Sequence, residues 1–208
     1  MKRYRIPVIL ILSILVLNLI FGINFMKEEK RNNQLATFGA GCFWCTEAIF
    51  SNLKGVESVV SGYSGGDVVN PEYKQVCSGN TGHAEVVQIK FNPDIISYTD
   101  LLQVFWEIHD PTTLNRQGND IGTQYRSVIL YHNEIQKKLA EQYKKQLNNK
   151  SIWNKPIVTE ILPFIKFYKA ENYHQDYYLN NSDKPYCSLI IAPKIKKFKK
   201  QFNDKLKE

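Results

Sequence analysis

The stretch "QLATFGAGCFWCTEAIFSNLKG", Gln34–Gly55, changes its hydrophobic period in the middle. The first seven residues are nearly all apolar, as in a strand buried on both faces. From Phe43 the apolar residues recur at helical spacing, and the pattern ends at Gly55, a residue suited to a helix C-cap. Gly39 and Gly41 allow a tight turn between the two. The stretch therefore predicts a strand handing over to a helix. Cys42 lies at the junction, where free N–H groups and the helix dipole favour an anion and would lower a thiol pKa. That makes Cys42 a candidate nucleophile, with two large aromatic residues separating it from Cys45.

On the C-terminal side the pattern continues as a layered α+β chain. "VESVVSGYSGG" (56–66) alternates as a strand, and so does "AEVVQIKF" (84–91). "SYTDLLQVFWEIHD" (97–110) predicts a helix with a Ser or Thr cap, stopped by Pro111. "YRSVILY" (125–131) and "IVTEILPF" (157–164) predict strands around the helix "NEIQKKLAEQYKKQL" (133–147). "AENYHQDYYLNN" (170–181) and "APKIKKFKKQF" (192–202) predict closing helices. The order β-α-β-β-α-β-α-β implies a two-layer α+β sandwich of ferredoxin-like type. Two long polar loops, 67–83 and 111–124, interrupt it, and loops of that length inside a compact domain usually carry function.

The N-terminal part is different in kind. Ile6–Phe25 contains no charged residue and is long enough to cross a bilayer as a helix. Lys2, Arg3 and Arg5 precede it, so the positive-inside rule sends the rest of the chain across the membrane. A cleaved signal peptide competes with this, but the apolar run is long and lacks an A-x-A-like site. The expectation is an N-terminal membrane anchor or signal segment with its linker over 1–33. A catalytic domain over 34–208 would then act outside the cytoplasm. The net charge of +7 is spread over helical segments without interleaved stacking aromatics, so no nucleic-acid partner is expected.

Four cysteines in 208 residues are too few, and too unevenly spaced, for a disulfide-stapled scaffold. The Cys42/Cys45 pair could hold zinc, but His83, His109, His132 and His174 are scattered and Cys77 and Cys187 stand alone, so no metal is expected. A thioredoxin-like dithiol would want a small or turn-forming centre, which Phe43 and Trp44 do not supply. The third explanation is a nucleophile followed by its own resolving thiol, with the rings serving a substrate.

"GCFWCTE", "GYSGG", "PEYKQVCSGNTGHAE", "FWEIHDPT", "RQGNDIGTQYRS" and "FYKAENYHQDYY" occur in that order. Together they closely resemble the peptide methionine sulfoxide reductases of the A type, from about residue 34 to about residue 200. The resemblance implies that Cys42 attacks the sulfoxide sulfur while Phe43 and Trp44 cradle the terminal methyl. Sulfur–aromatic contacts suit that group. It implies that Glu85 protonates the sulfoxide oxygen, that Tyr73 and Tyr125 hydrogen-bond it, and that Asp120 helps to position these groups. Cys42 would end as a sulfenic acid and condense with a second thiol. Many family members have Gly where this chain has Cys45, and resolve through C-terminal cysteines. Here Cys45 and Cys187 both qualify, singly or in relay, and Cys45 is preferred because its closure needs no tail motion. His83, His109, His174 and Glu47 read as structural. The implied enzyme is a monomer without metal or organic cofactor. It would repair S-epimer methionine sulfoxide, in oxidised proteins or as the free amino acid, with electrons from a thioredoxin-like dithiol.

Overall fold

In the computed structural model, which describes residues 34–150 and 152–208, the first strand β1 (Gln34–Ala40) runs through the middle of the sheet. Five of its seven residues are buried, which explains its continuous apolar run. It pairs antiparallel on one side with β3 (Ala84–Phe91), Thr37 opposite Gln88. On the other side it pairs antiparallel with β6 (Ser127–Tyr131), Phe38 opposite Ile129. Strand β2 (Val56–Ser64) lies beyond β3, with β8 (Phe167–Lys169) at that edge. β7 (Glu160–Pro163) pairs parallel with β6 at the opposite edge, giving the order β7-β6-β1-β3-β2-β8. A separate two-residue hairpin joins β4 (Arg116–Gln117) to β5 (Asp120–Ile121).

The helices α1 (Phe43–Phe50), α2 (Tyr73–Cys77), α3 (Tyr98–Glu107), α4 (Glu134–Asn149), α5 (Tyr177–Asn180) and α6 (Ala192–Gln201) complete the frame. Ser97 caps α3 as its sequence predicts: the Asp100 amide donates to Ser97 Oγ at 3.1 Å, and the Ser97 amide donates to Asp100 Oδ2 at 3.0 Å. Phe38, Phe50, Leu101 and Phe105 meet in the main core between sheet and helices.

Three expectations need correction. The sheet is not the one implied by a two-layer ferredoxin-like sandwich. It has six strands and is mixed, because β7 joins in parallel. Its second face is not bare either: Ala84, Val86, Val128 and Leu130 pack there under Phe164 and Phe167 from the β7–β8 region. The membrane or signal helix expected over Ile6–Phe25 lies outside the described residues, and among the described residues no helix is long and apolar enough to cross a membrane. The transmembrane assignment is corrected accordingly, together with the location outside the cytoplasm that rests on it. Finally, 170–181 is not one helix. Asp176 takes a left-handed conformation (φ 51°), and only a 3₁₀ turn and the short α5 form around it.

Candidate active site

Gly41 makes the turn out of β1 with φ 89°, and a Cβ there would lie 2.6 Å from the Gln117 side chain. Only glycine meets both conditions. Cys42 follows as the residue capping α1, and its carbonyl accepts from the amides of Cys45 (3.2 Å) and Thr46 (3.4 Å). Glu85 approaches from β3 on the face it shares with Val87 and Ile89, since alternate residues share a face. The Phe43 amide donates to Glu85 Oε2 at 3.1 Å. A free amide at the start of α1 thus ties the carboxyl to the residue beside Cys42.

Burial dominates the electrostatics. It pushes Glu85, only 2% exposed, up to about 8. The Phe43 amide works against the rise and the charge of Asp120 adds to it. Burial also pushes the Cys42 thiol well up, followed by the charges of Glu85 and Cys45, while hydrogen bonds from Tyr186 and the Trp44 amide oppose the rise. The helix start therefore does not give the lowered thiol pKa expected from sequence. A helix terminus acts weakly against full desolvation and a neighbouring carboxylate. Burial raises the Tyr73 and Tyr125 hydroxyls too, with the Glu85 charge contributing to both.

The walls are aromatic. Trp44 stacks on Tyr177 with ring centres 3.6 Å apart and planes 7° from parallel. Its Nε1 donates to His174 Nδ1 at 3.0 Å. The His174 ring lies 5.0 Å from Phe43 and 4.4 Å from Tyr73. Glu171 fixes the next layer: the Tyr63 hydroxyl donates to its Oε2 at 2.9 Å, and the Tyr73 amide to its Oε1 at 2.8 Å. The Tyr186 hydroxyl donates to Asp120 Oδ2 at 2.7 Å and also works against the rise of the Cys42 and Cys45 thiols.

Cys42, Phe43, Trp44, Glu85, Tyr73, Tyr125, Asp120 and Cys45, spread over more than 80 positions, thus interact in one site. Cys187 is fully buried and influences Cys45 electrostatically. It does not sit in an irregular tail: it opens a π-helical turn, Cys187–Ile191, that leads into α6. Cys77 is exposed and shares a hydrogen bond with the Tyr73 hydroxyl. Among the described residues no three His, Cys, Asp or Glu side chains form a group that could hold a metal ion. Sequence reasoning missed Tyr186, Tyr177 and Glu171 and set His174 aside. The one hint was the density of aromatic residues in 167–178.

The family model of peptide methionine sulfoxide reductase matches residues 34–206. The MsrA of Sulfolobus acidocaldarius is 59% identical over 172 residues, covering 83% of this chain and 97% of that protein. The MsrA of Saccharolobus solfataricus is also 59% identical, over 84% of this chain and 97% of its own length. Among solved structures, reduced Mxr1 from Saccharomyces cerevisiae superposes with a TM-score of 0.68 at 37% identity, over 74% of this chain and 89% of that one. Methionine sulfoxide reductase A of Corynebacterium diphtheriae gives 0.65 at 34% identity, over 73% and 77%.

Proposed function

We propose, from the premise that this chain belongs to the peptide methionine sulfoxide reductase family, A type, and so is an enzyme reducing methionine S-sulfoxide, that the site built around Cys42 and Glu85 carries out the chemistry. The observation that carries this assignment is the 3.1 Å bond from the Phe43 amide to Glu85. It holds a carboxyl with a pKa of about 8 beside a buried thiol. At neutral pH such a carboxyl is mostly protonated and can donate to a sulfoxide oxygen.

The two groups act as a pair. The Glu85 charge is the second cause, after burial, that holds the Cys42 thiol up, so protonation of Glu85 removes it. A neutral Glu85 therefore both polarises the sulfoxide and eases ionisation of Cys42. The Cys42 sulfur attacks the sulfoxide sulfur, whose methyl lies against Phe43 and Trp44. Tyr73 and Tyr125 hydrogen-bond the oxygen, and Asp120, held by Tyr186, keeps the thiol side of the pocket in place. The S–O bond breaks as the protonated oxygen leaves as water. Water then attacks the Cys42 sulfur, the bond just made to the substrate sulfur breaks, methionine leaves, and Cys42 is left as a sulfenic acid.

Cys45, one helical turn on, then attacks that sulfenic acid, giving a Cys42–Cys45 disulfide and water. Cys187 is the alternative resolving thiol. A thioredoxin-like dithiol returns the pair to thiols. The catalytic unit is residues 34–208. Its substrates are oxidised methionines in damaged proteins and the free amino acid, so the role is repair.

The test uses each epimer of a dabsylated methionine sulfoxide with dithiothreitol as reductant. The wild type should convert the S epimer only, and Cys42→Ser should release no methionine even at one equivalent, because a hydroxyl at its ordinary pKa is a poor nucleophile. Single-turnover product from that variant would overturn the assignment of Cys42.

A further inference from the structure

The geometry on the far side of Cys45 points to a group that serves the second half of the cycle. We propose that the ammonium of Lys194 activates Cys45 for its attack on oxidised Cys42. Cys45 lies in the first turn of α1 and Lys194 in the first turn of α6, 149 residues later, with Lys194 Nζ 3.9 Å from Cys45 Sγ. That is hydrogen-bond reach for a sulfur acceptor.

Three features set Lys194 apart from the many solvated lysines of this chain. It is half-buried, and its stem lines a cleft of about 460 Å³ with Trp106, Trp153 and Phe198. The ion pairs seen for lysines among the described residues are Lys90–Glu57, Lys137–Glu134 and Lys205–Asp100, and Lys194 joins none of them. Glu107, Asp110 and Lys197 line the same cleft, but neither carboxylate forms an ion pair with Lys194, whose charge acts on Cys45. The imidazole in the same cleft, His109, is held down to about 4 by burial, with Lys194 adding to that, so it stays neutral and brings no second cation.

The strongest influences on Cys45 can be named. Burial pushes its thiol up to about 11. Lys194 is the largest influence against that rise, Tyr186 opposes it more weakly, and the charges of Asp120 and Cys187 add to it. Cys42 lies on the same helix. Lys194 is the only cation in this set. A thiol this deeply buried is almost wholly protonated at neutral pH, whereas the attack needs the thiolate. The step balances as Cys45 thiolate plus Cys42 sulfenic acid plus one proton giving the disulfide and water. Cys42 is reduced from sulfenic acid, Cys45 is oxidised, and the proton leaves with the departing oxygen. An ammonium on the Cys45 side favours the attacking thiolate. On recycling, it equally favours Cys45 as a leaving group.

The size of the effect follows from two opposing trends. Each unit by which the thiol pKa rises costs about tenfold in thiolate below that pKa, while nucleophilicity rises with a Brønsted slope of about 0.4–0.5, leaving about threefold per unit. Loss of the ammonium should therefore slow disulfide closure by about three- to tenfold near neutral pH. Lys194→Met keeps the stem in the cleft and removes the charge, and Lys194→Arg restores the charge.

The experiment mixes the full chain with one equivalent of methionine S-sulfoxide and no reductant, then quenches with acid. It follows methionine release and, by alkylation and peptide mapping, the disulfide. Lys194→Met should release methionine at the wild-type rate, close the Cys42–Cys45 bond about three- to tenfold more slowly, and shift the rising limb of closure to higher pH. Lys194→Arg should recover most of both. Lys194 has this role only if Cys45 resolves Cys42, as proposed above. A wild-type map with Cys42–Cys187 as the first disulfide overturns both. A wild-type map with Cys42–Cys45, combined with an unmoved rate and pH limb in Lys194→Met, overturns the role of Lys194 alone. Methionine release slowed as much as closure overturns it too, since Lys194 would then support the site as a whole.

Discussion

Two buried carboxyls, one beside the first helix and one within it, have surroundings that give them different work. Glu85 and Glu47 are each 2% exposed, and burial pushes them to about 8 and about 7. Glu85 accepts one amide, that of Phe43, and raises the pKa of Cys42, Tyr73 and Tyr125 around it. The backbone of Asp176 and Tyr177 beside Glu47 works against the rise of its carboxyl. These are the residues that turn the chain through φ 51° and lay Tyr177 flat on Trp44. A raised pKa marks both places, so it cannot by itself identify the acid. What separates them is the company of each: a nucleophile and two hydroxyls for Glu85, a loop backbone for Glu47. The first is placed to donate a proton, the second to hold a wall of the pocket.

Removing each carboxyl in turn tests that contrast where it is largest. Glu85→Gln keeps the shape and can still accept from Phe43 but has no proton to give, so the rate of methionine release should fall by roughly 10²–10⁴-fold. In the wild type that rate should fall as pH rises through about 8, because the donor loses its proton there, and this limb should vanish in the variant. A variant within a few-fold of wild type across pH would assign the proton to the tyrosines or to solvent.

Glu47→Gln should act on binding rather than on the chemical step. Its amide NH₂ cannot accept from a backbone N–H, so part of the tie to Asp176 and Tyr177 is lost and Tyr177 leaves Trp44 less firmly stacked. KM should rise by about three- to tenfold while kcat stays within about threefold, as for lost ground-state contacts. A fall in kcat as large as that of Glu85→Gln would break the contrast between the two carboxyls.

The contrast also shows how far the sequence could be read. The strand–turn–helix of 34–50 was legible because one glycine, Gly41, and a change of period mark it locally. The cap at Ser97 and the alternation of 84–91 were legible for the same reason. The second covered face of the sheet was not, since Phe164 and Phe167 reach it from chain without a regular period. Nor was the broken course of 170–181, where helical spacing yields to long-range partners: Trp44 for His174 across 130 residues, and Ser61 for Gln175 across 114. The resemblance named Cys42 and Glu85 directly. It could not show that Cys42 starts with a raised pKa, because that depends on how deeply the fold buries the thiol and on where Glu85 ends up. The supporting tyrosines Tyr177 and Tyr186 act only through contacts made in three dimensions.

The smallest expected contrast is in stability, where the two carboxyls should differ in degree. Glu85 has a folded-state pKa of about 8, above the value of about 4.3 for an unfolded glutamate. Between those values the folded protein holds the proton and the unfolded chain does not. The stability this gives is complete below about pH 4 and lost as pH rises to about 8. Glu85→Gln removes that slope and keeps the bond from Phe43, so its Tm advantage over wild type should grow steadily from pH 5 to pH 8. Glu47→Gln gains the same kind of relief over a window ending near 7, but it faces the backbone of Asp176 and Tyr177 with an amide that can accept only through its oxygen. The weaker hold on those backbone groups offsets part of the relief, so its Tm should gain clearly less than that of Glu85→Gln by pH 8. Thermal melts of both variants between pH 5 and pH 8 decide the matter. A Tm gain in Glu47→Gln equal to that of Glu85→Gln would mean that desolvation alone governs Glu47 and that its hold on the Tyr177 loop counts for nothing.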